Sequence, residues 1–378
     1  MIRSDLLLVT FSALLAACGD NLAGPRDAPA GDASPAKPRA VIVAGNFMPG
    51  EAGVMSSLSF DPLNVDQHVA PNGAVGSDPM IRKVGGELFV VNRADGNNVT
   101  ILDAVTFAVK DQLSTGPGSN AQDVAVAGDK LFVPAFGTAG VVVVTRGTGT
   151  RTAIDLSALD PDGQPNCVSA YHVDGEIYVA CELLDAQFKP RGPGRIAVID
   201  AATNAVKTSF AMVNENPFGV FEPLPEGVLG GDLVIPTVPS FSDFATGCVE
   251  RIQTGDAPKS NGCVVTNAAL GGYVARIAFQ RQGATSIQWM VINKFDTAAR
   301  GNLQGYDLET SQLWSTPVSS PTQVLVDTAV CPNGVVVVAD QTMASNGLRV
   351  YEGTVERTTA PLPIGLRPGS SHGLVCYE

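Results

Sequence analysis

The sequence predicts an all-β fold, a seven-bladed β-propeller with a composite first blade closed by the N- and C-terminal strands. Three observations carry this expectation. Short runs of β-branched and aromatic residues recur along the chain at a nearly constant interval. Each run after the first follows a tight turn of Gly, Asn or Asp. The two ends of the repeat region each hold part of one unit.

The runs begin at residues 41, 88, 131, 177, 233, 289 and 335. Examples are Leu88-Phe89-Val90-Val91 after Gly85-Gly86, Ile177-Tyr178-Val179-Ala180 after Asp174-Gly175, and Val335 to Val338 after Asn333-Gly334. Most intervals match the roughly 40 to 50 residues that a four-stranded blade needs, and those on either side of Leu233 are longer. An apolar stretch precedes each run across its turn, so the first two strands of a unit form a hairpin of the Asn-Gly or Asp-Gly kind. A third strand follows, as in Val99 to Leu102, Ile196 to Ile199 and Leu303 to Tyr306. It ends in a shared turn opened by Asp103, Asp200 or Asp307. These carboxylates are read as acceptors for backbone N–H groups of the turn, a structural role.

Closure gives the blade number. The folded part begins with a second-strand run at Val41 and ends with a first-strand run, Gly373-Leu374-Val375-Cys376-Tyr377. Left apart, both would be exposed sheet edges; paired, they make one blade and leave none. The body therefore spans 41–378.

The N-terminus has another character. A short start with Arg3 precedes an uncharged apolar run from Leu6 to Ala17, too short for the roughly 20 residues of a membrane span. It ends in Leu15-Ala16-Ala17-Cys18, which resembles the lipobox of bacterial lipoproteins. That resemblance implies a signal peptide over 1–17 and acylation at Cys18. Residues 18–40 are rich in Gly, Ala, Pro, Asp and Ser without an aromatic side chain, the composition of a disordered tether. The expected location is the bacterial cell envelope, lipid-anchored at the outer membrane or on the periplasmic side.

The stretch Gly86-Glu87-Leu88-Phe89-Val90-Val91-Asn92 with Asn98 to Asp103 resembles the YVTN-type propeller repeat. So does Ile177 to Ala180 with Ile196 to Asn204. The likeness covers roughly residues 80 to 210 and fades between 215 and 300. It implies a scaffold that mostly binds other molecules, and a fold does not by itself supply an activity.

Seven cysteines divide into Cys18 and six others. An exported chain meets oxidising conditions, and six cysteines allow 15 pairings. The repeat favours Cys167 with Cys181 across one hairpin, Cys248 with Cys263 around an insertion, and Cys331 with Cys376 at equivalent first-strand positions where the ring closes.

A net charge of −13 and the lack of a Lys/Arg run disfavour nucleic acid as a partner. A monomer is expected, with a protein, peptide or glycan partner. Propellers commonly use the loops leading into the innermost strands. Here these supply Asp78, Gln122, Asp123, Asn166, Asn216, Phe218, Gln323 and His372, a polar ring suited to a small ligand or peptide; the plainer reading is that these groups satisfy loop backbone. The three histidines, His68, His172 and His372, lack zinc-motif spacing. Asp160-Pro161-Asp162-Gly163 lacks the later glutamate of a calcium loop and reads as a turn. No catalytic motif, metal site or cofactor is expected. A binding or interaction module is the favoured function. The alternative is a lactonase-like hydrolase using Asp78, Asp123 and His372 as acid–base groups.

Overall fold

The structure, a computed structural model, describes residues 37–378 apart from 226, 229–230, 241, 244, 283–284, 294–300, 315–317 and 370–371. Cys18 with the signal and most of the tether, Ser370-Ser371 of one loop, and Phe241 and Phe244 of the longest insertion thus lie outside the described residues.

Seven four-stranded antiparallel sheets follow one another. Blade 1 joins Leu374–Tyr377 to Arg39–Ala44, Val54–Phe60 and Leu63–Asp66. Blade 2 holds Pro79–Val84, Glu87–Asn92, Asn98–Asp103 and Val109–Ser114. Blade 3 holds Ala125–Ala127, Lys130–Ala135, Gly140–Thr145 and Arg151–Asp155. Blade 4 holds Cys167–Val173, Glu176–Cys181, Pro193–Asp200 and Val206–Glu215. Blade 5 runs Glu222–Pro223, Leu233–Pro236, Cys248–Gln253 and Lys259–Thr266. Blade 6 runs Tyr273–Gln282, Thr285–Asn293, Asn302–Asp307 and Gln312–Leu313. Blade 7 runs Leu325–Val330, Val335–Asp340, Gly347–Glu352 and Val355–Glu356.

The composite blade forms as the sequence predicts: Arg39 to Ile42 pair antiparallel with Tyr377 to Leu374. The strand begins at Arg39, slightly upstream of Val41. The first strand of every blade lines the central axis.

The apolar runs are continuous because each second strand is buried on both sides. Leu88 and Val90 pack with Val41, Val43 and Ile81 between blades 1 and 2. Phe89 and Val91, pointing the other way, pack with Leu131 and Val133 between blades 2 and 3. Seven such clusters occur, one in each interval around the ring, and the last joins Val335, Val337 and Val350 of blade 7 to Ala40, Ile42 and Leu58 of blade 1. A period-2 strand between two neighbours needs apolar residues at both parities.

Turns behave as their residues require. Asp174 and Gly175 both have positive φ, 46° and 83°, as the two-residue hairpin linking the first strands of blade 4 demands. Asp103 accepts N–H bonds from Val105 and Thr106, Asp200 from Thr203, and Asp307 from Thr310. Those bonds hold all three carboxyls below the usual carboxylate range.

All three expected disulfides are present. Cys331, directly after the inner strand of blade 7, and Cys376, on the inner strand of blade 1, have Cα atoms 4.9 Å apart, within disulfide reach. This bridge ties blade 7 to the C-terminal strand of blade 1.

Candidate functional site

The axis of the ring holds a chain of charged side chains that none of the local motifs announces. Arg82, on the inner strand of blade 2, meets Asp123 in a two-pronged ion pair, Nε to Oδ1 at 2.8 Å and Nη2 to Oδ2 at 2.7 Å. Its Nη1 also lies 3.6 Å from Glu222 of blade 5. Glu222 accepts from Arg276 of blade 6, whose Nε donates to Asp327 of blade 7 at 3.1 Å. Asp327 in turn accepts the Leu374 N–H of blade 1. Asp123, just before the inner strand of blade 3, accepts from Ser169 Oγ and the Ala170 N–H of blade 4. One polar belt therefore touches all seven blades.

Local backbone irregularities aim several of these groups inward. The inner strands shift register between Cys167 and Ser169, between Val274 and Arg276, and between Leu325 and Asp327. A bulge of this kind re-aims the residue that follows it.

Asp123 is fully buried and Asp327 nearly so. Burial pushes the Asp327 carboxyl up to about 6, against the pull of Arg276 and of backbone N–H donors. Burial disfavours the charged form of Arg82, but the paired Asp123, assisted by Glu222, overrides it and raises the guanidinium pKa.

Above this belt the channel is closed. The segment Pro217–Phe221 leads into blade 5 but reaches across the axis. Phe221 donates its N–H to Ser169 Oγ at 2.8 Å, and its carbonyl accepts from both terminal nitrogens of Arg82 at 3.3 Å. Val220 packs among residues of blades 2 and 3. Gly219 has φ +118°, and a Cβ there would come within 3.4 Å of the His372 ring from blade 1. The chain favours glycine at this crossing for its backbone conformation.

Below the belt the channel is open. Along the inner strand of blade 2, Pro79 to Ile81 are buried, Arg82 and Lys83 half-buried and Val84 exposed. In blade 4, Cys167 to Ala170 are buried and Tyr171 to Val173 half-buried. Blade 3 repeats the gradient over Ala125 to Ala127. The result is a cavity of about 570 Å³. Its lining mixes polar and apolar surface, with Val84, Val126, Ala278, Phe279, Val330 and Val375 among the apolar side chains. Arg82, Tyr171, Glu222 and Arg276 give it a polar floor. Tyr171 lies 5.9 Å from the Arg82 guanidinium, ring centroid to carbon, and burial raises its hydroxyl pKa.

The site residues expected from sequence lie at the closed end, and most have internal tasks. Asp78 pairs with Arg93 at 2.6 Å. Gln122 donates to Asn120. Asn166 accepts the Leu184 N–H, and Asn216 donates to the Val238 carbonyl. Phe218 packs edge-on against Tyr273 at 5.8 Å. Gln323 accepts the Ser320 N–H. Asp123 belongs to the belt, and His372 is the member of this set that lines the cavity.

The asparagines have a backbone reason. Asn120, Asn166 and Asn216 have φ of 46°, 52° and 50°, and each offers its carbonyl to a residue one or two positions past the second strand of its blade, Phe136, Glu182 or Val238. Asn tolerates this left-handed conformation better than most residues. Glu182 itself is buried beside this clamp, and desolvation pushes its carboxyl up to about 8. Asp160 and Asp162 are both bridged by Arg191. Among the described residues no cluster of three or more His, Cys, Asp or Glu is placed to hold a metal ion.

The closed ring of seven four-stranded blades makes the chain a β-propeller protein. No protein-family model matches it, and no curated protein sequence does. Solved propellers resemble it in shape. A 6-phosphogluconolactonase candidate from Bacteroides uniformis aligns with a TM-score of 0.63 at 12% identity, covering 90% of this chain and 99% of that one. Dihydro-heme d1 dehydrogenase NirN aligns with 0.56 at 14%, covering 92% and 76%. AztD from Citrobacter koseri aligns with 0.54 at 12%, covering 90% and 98%. At these identities the shared property is the fold.

Proposed function

We propose that the protein is a ligand-binding propeller that holds a small molecule in the open half of its channel, carried on the bacterial envelope by acylated Cys18. The observation that supports this reading is a cavity of about 570 Å³, closed at one end by Pro217–Phe221, with apolar side chains in its walls and a charged floor. Ligand pockets commonly span about 300–1,000 Å³ and combine apolar walls with a few convergent polar groups. The YVTN-like repeat agrees with a binding scaffold. Its small-molecule ligand narrows the broader expectation of a polar ligand, peptide or partner protein.

Hydrolysis is the second reading, and a lactonase candidate among the similar folds keeps it in view. Against it stand the bonds of the acids it would use: Asp78 is tied to Arg93, and Asp123 to Arg82, Ser169 and Ala170. A general base needs a lone pair available to substrate. The test is equilibrium dialysis of the purified protein against envelope extract, with mass spectrometry of what is retained. Retention of an unaltered small molecule, lost in Ala278→Trp, supports binding; turnover of a lactone or ester panel replaces it with hydrolysis. Mass spectrometry of the mature N-terminus tests Cys18, since an unmodified cysteine removes the anchor from the proposal.

A further inference from the structure

The open channel presents hydrogen-bond donors without acceptors. Arg276 is about nine-tenths buried. Its Nε is bonded to Asp327 and its Nη1 to Glu222. The two N–H groups of its Nη2 have no partner among the described residues, and Arg276 lines the cavity. Tyr171 also lines the cavity, and its hydroxyl has no hydrogen-bond partner among the described residues. A guanidinium nitrogen held this far from bulk water gains most from an acceptor brought by a ligand.

The unpaired donors narrow the choice of acceptor. The charged side chains that line the cavity are Arg82, Lys83, Arg276 and Glu222, three cations to one anion, in a chain whose net charge is −13. Asp123 and Asp327 stand behind the arginines, buried and bonded to them. The charges of the belt thus largely cancel, and a ligand is selected by direct hydrogen bonds to the unpaired donors rather than by the net field. Three donors, two from Arg276 and one from Tyr171, suit the two oxygens of one carboxylate. A phosphate dianion brings more acceptors and a larger desolvation cost than these donors offset. In the walls, Val126, Phe279, Val330 and Val375 offer contact area to an apolar body on the ligand.

We infer that the channel binds small monocarboxylates with an apolar body, the carboxylate seated on Arg276 Nη2 and the Tyr171 hydroxyl and the body directed toward the open end. The inference rests on the channel being the binding site, as proposed above.

The experiment is calorimetric titration of the full-length protein with benzoate, hexanoate and 1-naphthoate, with their amides, and with phenyl phosphate. Carboxylates are expected to bind at least about tenfold more tightly than the matching amides, as a charge-assisted bond gains over a neutral one. Tyr171→Phe, which leaves the ion-pair belt intact, is expected to weaken carboxylates about three- to tenfold and to leave the amides less affected. Arg276→Gln abolishes the preference for carboxylates. If that variant fails to fold, Tyr171→Phe and the channel-filling Val126→Trp carry the test. Amides binding as tightly as carboxylates, or phenyl phosphate binding more tightly than benzoate, overturns this inference and leaves the channel as a site. Carboxylates binding equally well to Val126→Trp, or none of the probes binding, overturns the channel reading too.

Discussion

Arg82 of blade 2 and Glu222 of blade 5 meet at 3.6 Å across the axis of the ring, although 140 positions apart in the chain. Blades 2 and 5 are not neighbours, so this pairing braces the interior of the ring rather than one inter-blade seam. The same guanidinium holds Asp123 and the Phe221 carbonyl, which links the brace to the segment that closes the channel.

Removing one partner of this network leaves the others charged, buried and unmatched. Arg82→Ala is expected to cost about 3–5 kcal/mol, the range for breaking a buried ion pair. Arg82→Ala combined with Asp123→Ala should cost less than the two single changes added together. Denaturant unfolding of the four proteins checks this; strict additivity would mean that the pair is not coupled.

Gly219→Val is expected to destabilise the closed end. The new side chain meets the His372 ring at van der Waals limits on a backbone of φ +118°. Strain of this kind costs about 1–3 kcal/mol. The readout is the thermal midpoint, and an unchanged midpoint would show that the crossing segment adapts freely.

How much of this was legible from sequence differs by element. The hairpins, the Asp103, Asp200 and Asp307 turns and the composite blade follow from short-range chemistry that repeats, and the structure matches them. The three disulfides were legible because the repeat places each cysteine in a blade before any distance is known. The belt was not, because Arg82, Asp123, Glu222, Arg276 and Asp327 come from separate blades and share no local spacing. A signal did exist: a charged residue directly after two apolar ones in the first strand, as in Met80-Ile81-Arg82, Val274-Ala275-Arg276 and Leu325-Val326-Asp327. The asparagines of the loops also have a backbone reason, since left-handed backbone at Asn120, Asn166 and Asn216 selects that residue whether or not a ligand visits. The side of the ring on which the channel opens depends on how Pro217–Phe221 crosses it, and residue types alone do not reveal that.

The C-terminal bridge should matter more than the hairpin bridge. Cys331 and Cys376 are 45 residues apart and Cys167 and Cys181 only 14. In the chain-entropy model, losing the first costs about 4 kcal/mol and losing the second about 3 kcal/mol. Paired Cys→Ser variants compared by denaturant midpoint test the order, and the reverse order would contradict a closure role for Cys331–Cys376.

Glu182 makes stability depend on pH. Its carboxyl, raised from 4.5 to about 8 by burial, keeps a proton that the unfolded chain has already released. The native state binds more protons between these values, so stability is full below about pH 4.5 and declines as pH rises toward 8. Glu182→Gln removes this decline, by about 1.4 kcal/mol for each pH unit of the window. Asp327, raised to about 6, contributes in the same direction over a narrower window. Unfolding free energies of both proteins at pH 5 and pH 8 provide the check; parallel pH profiles would mean that Glu182 is ionised in the folded state.

The account depends most on a channel that is shut beside Val220 and open beside Val126. Its direct measurement is the rate of thiol labelling by a small maleimide in native Val126→Cys and Val220→Cys proteins, with the labelled peptide identified by mass spectrometry. Val126→Cys is expected to react at a rate near that of a free thiol, Val220→Cys at least about a hundredfold more slowly, as local burial requires, and the two alike in denaturant. Equal rates in the native proteins, or the faster rate at residue 220, would contradict it.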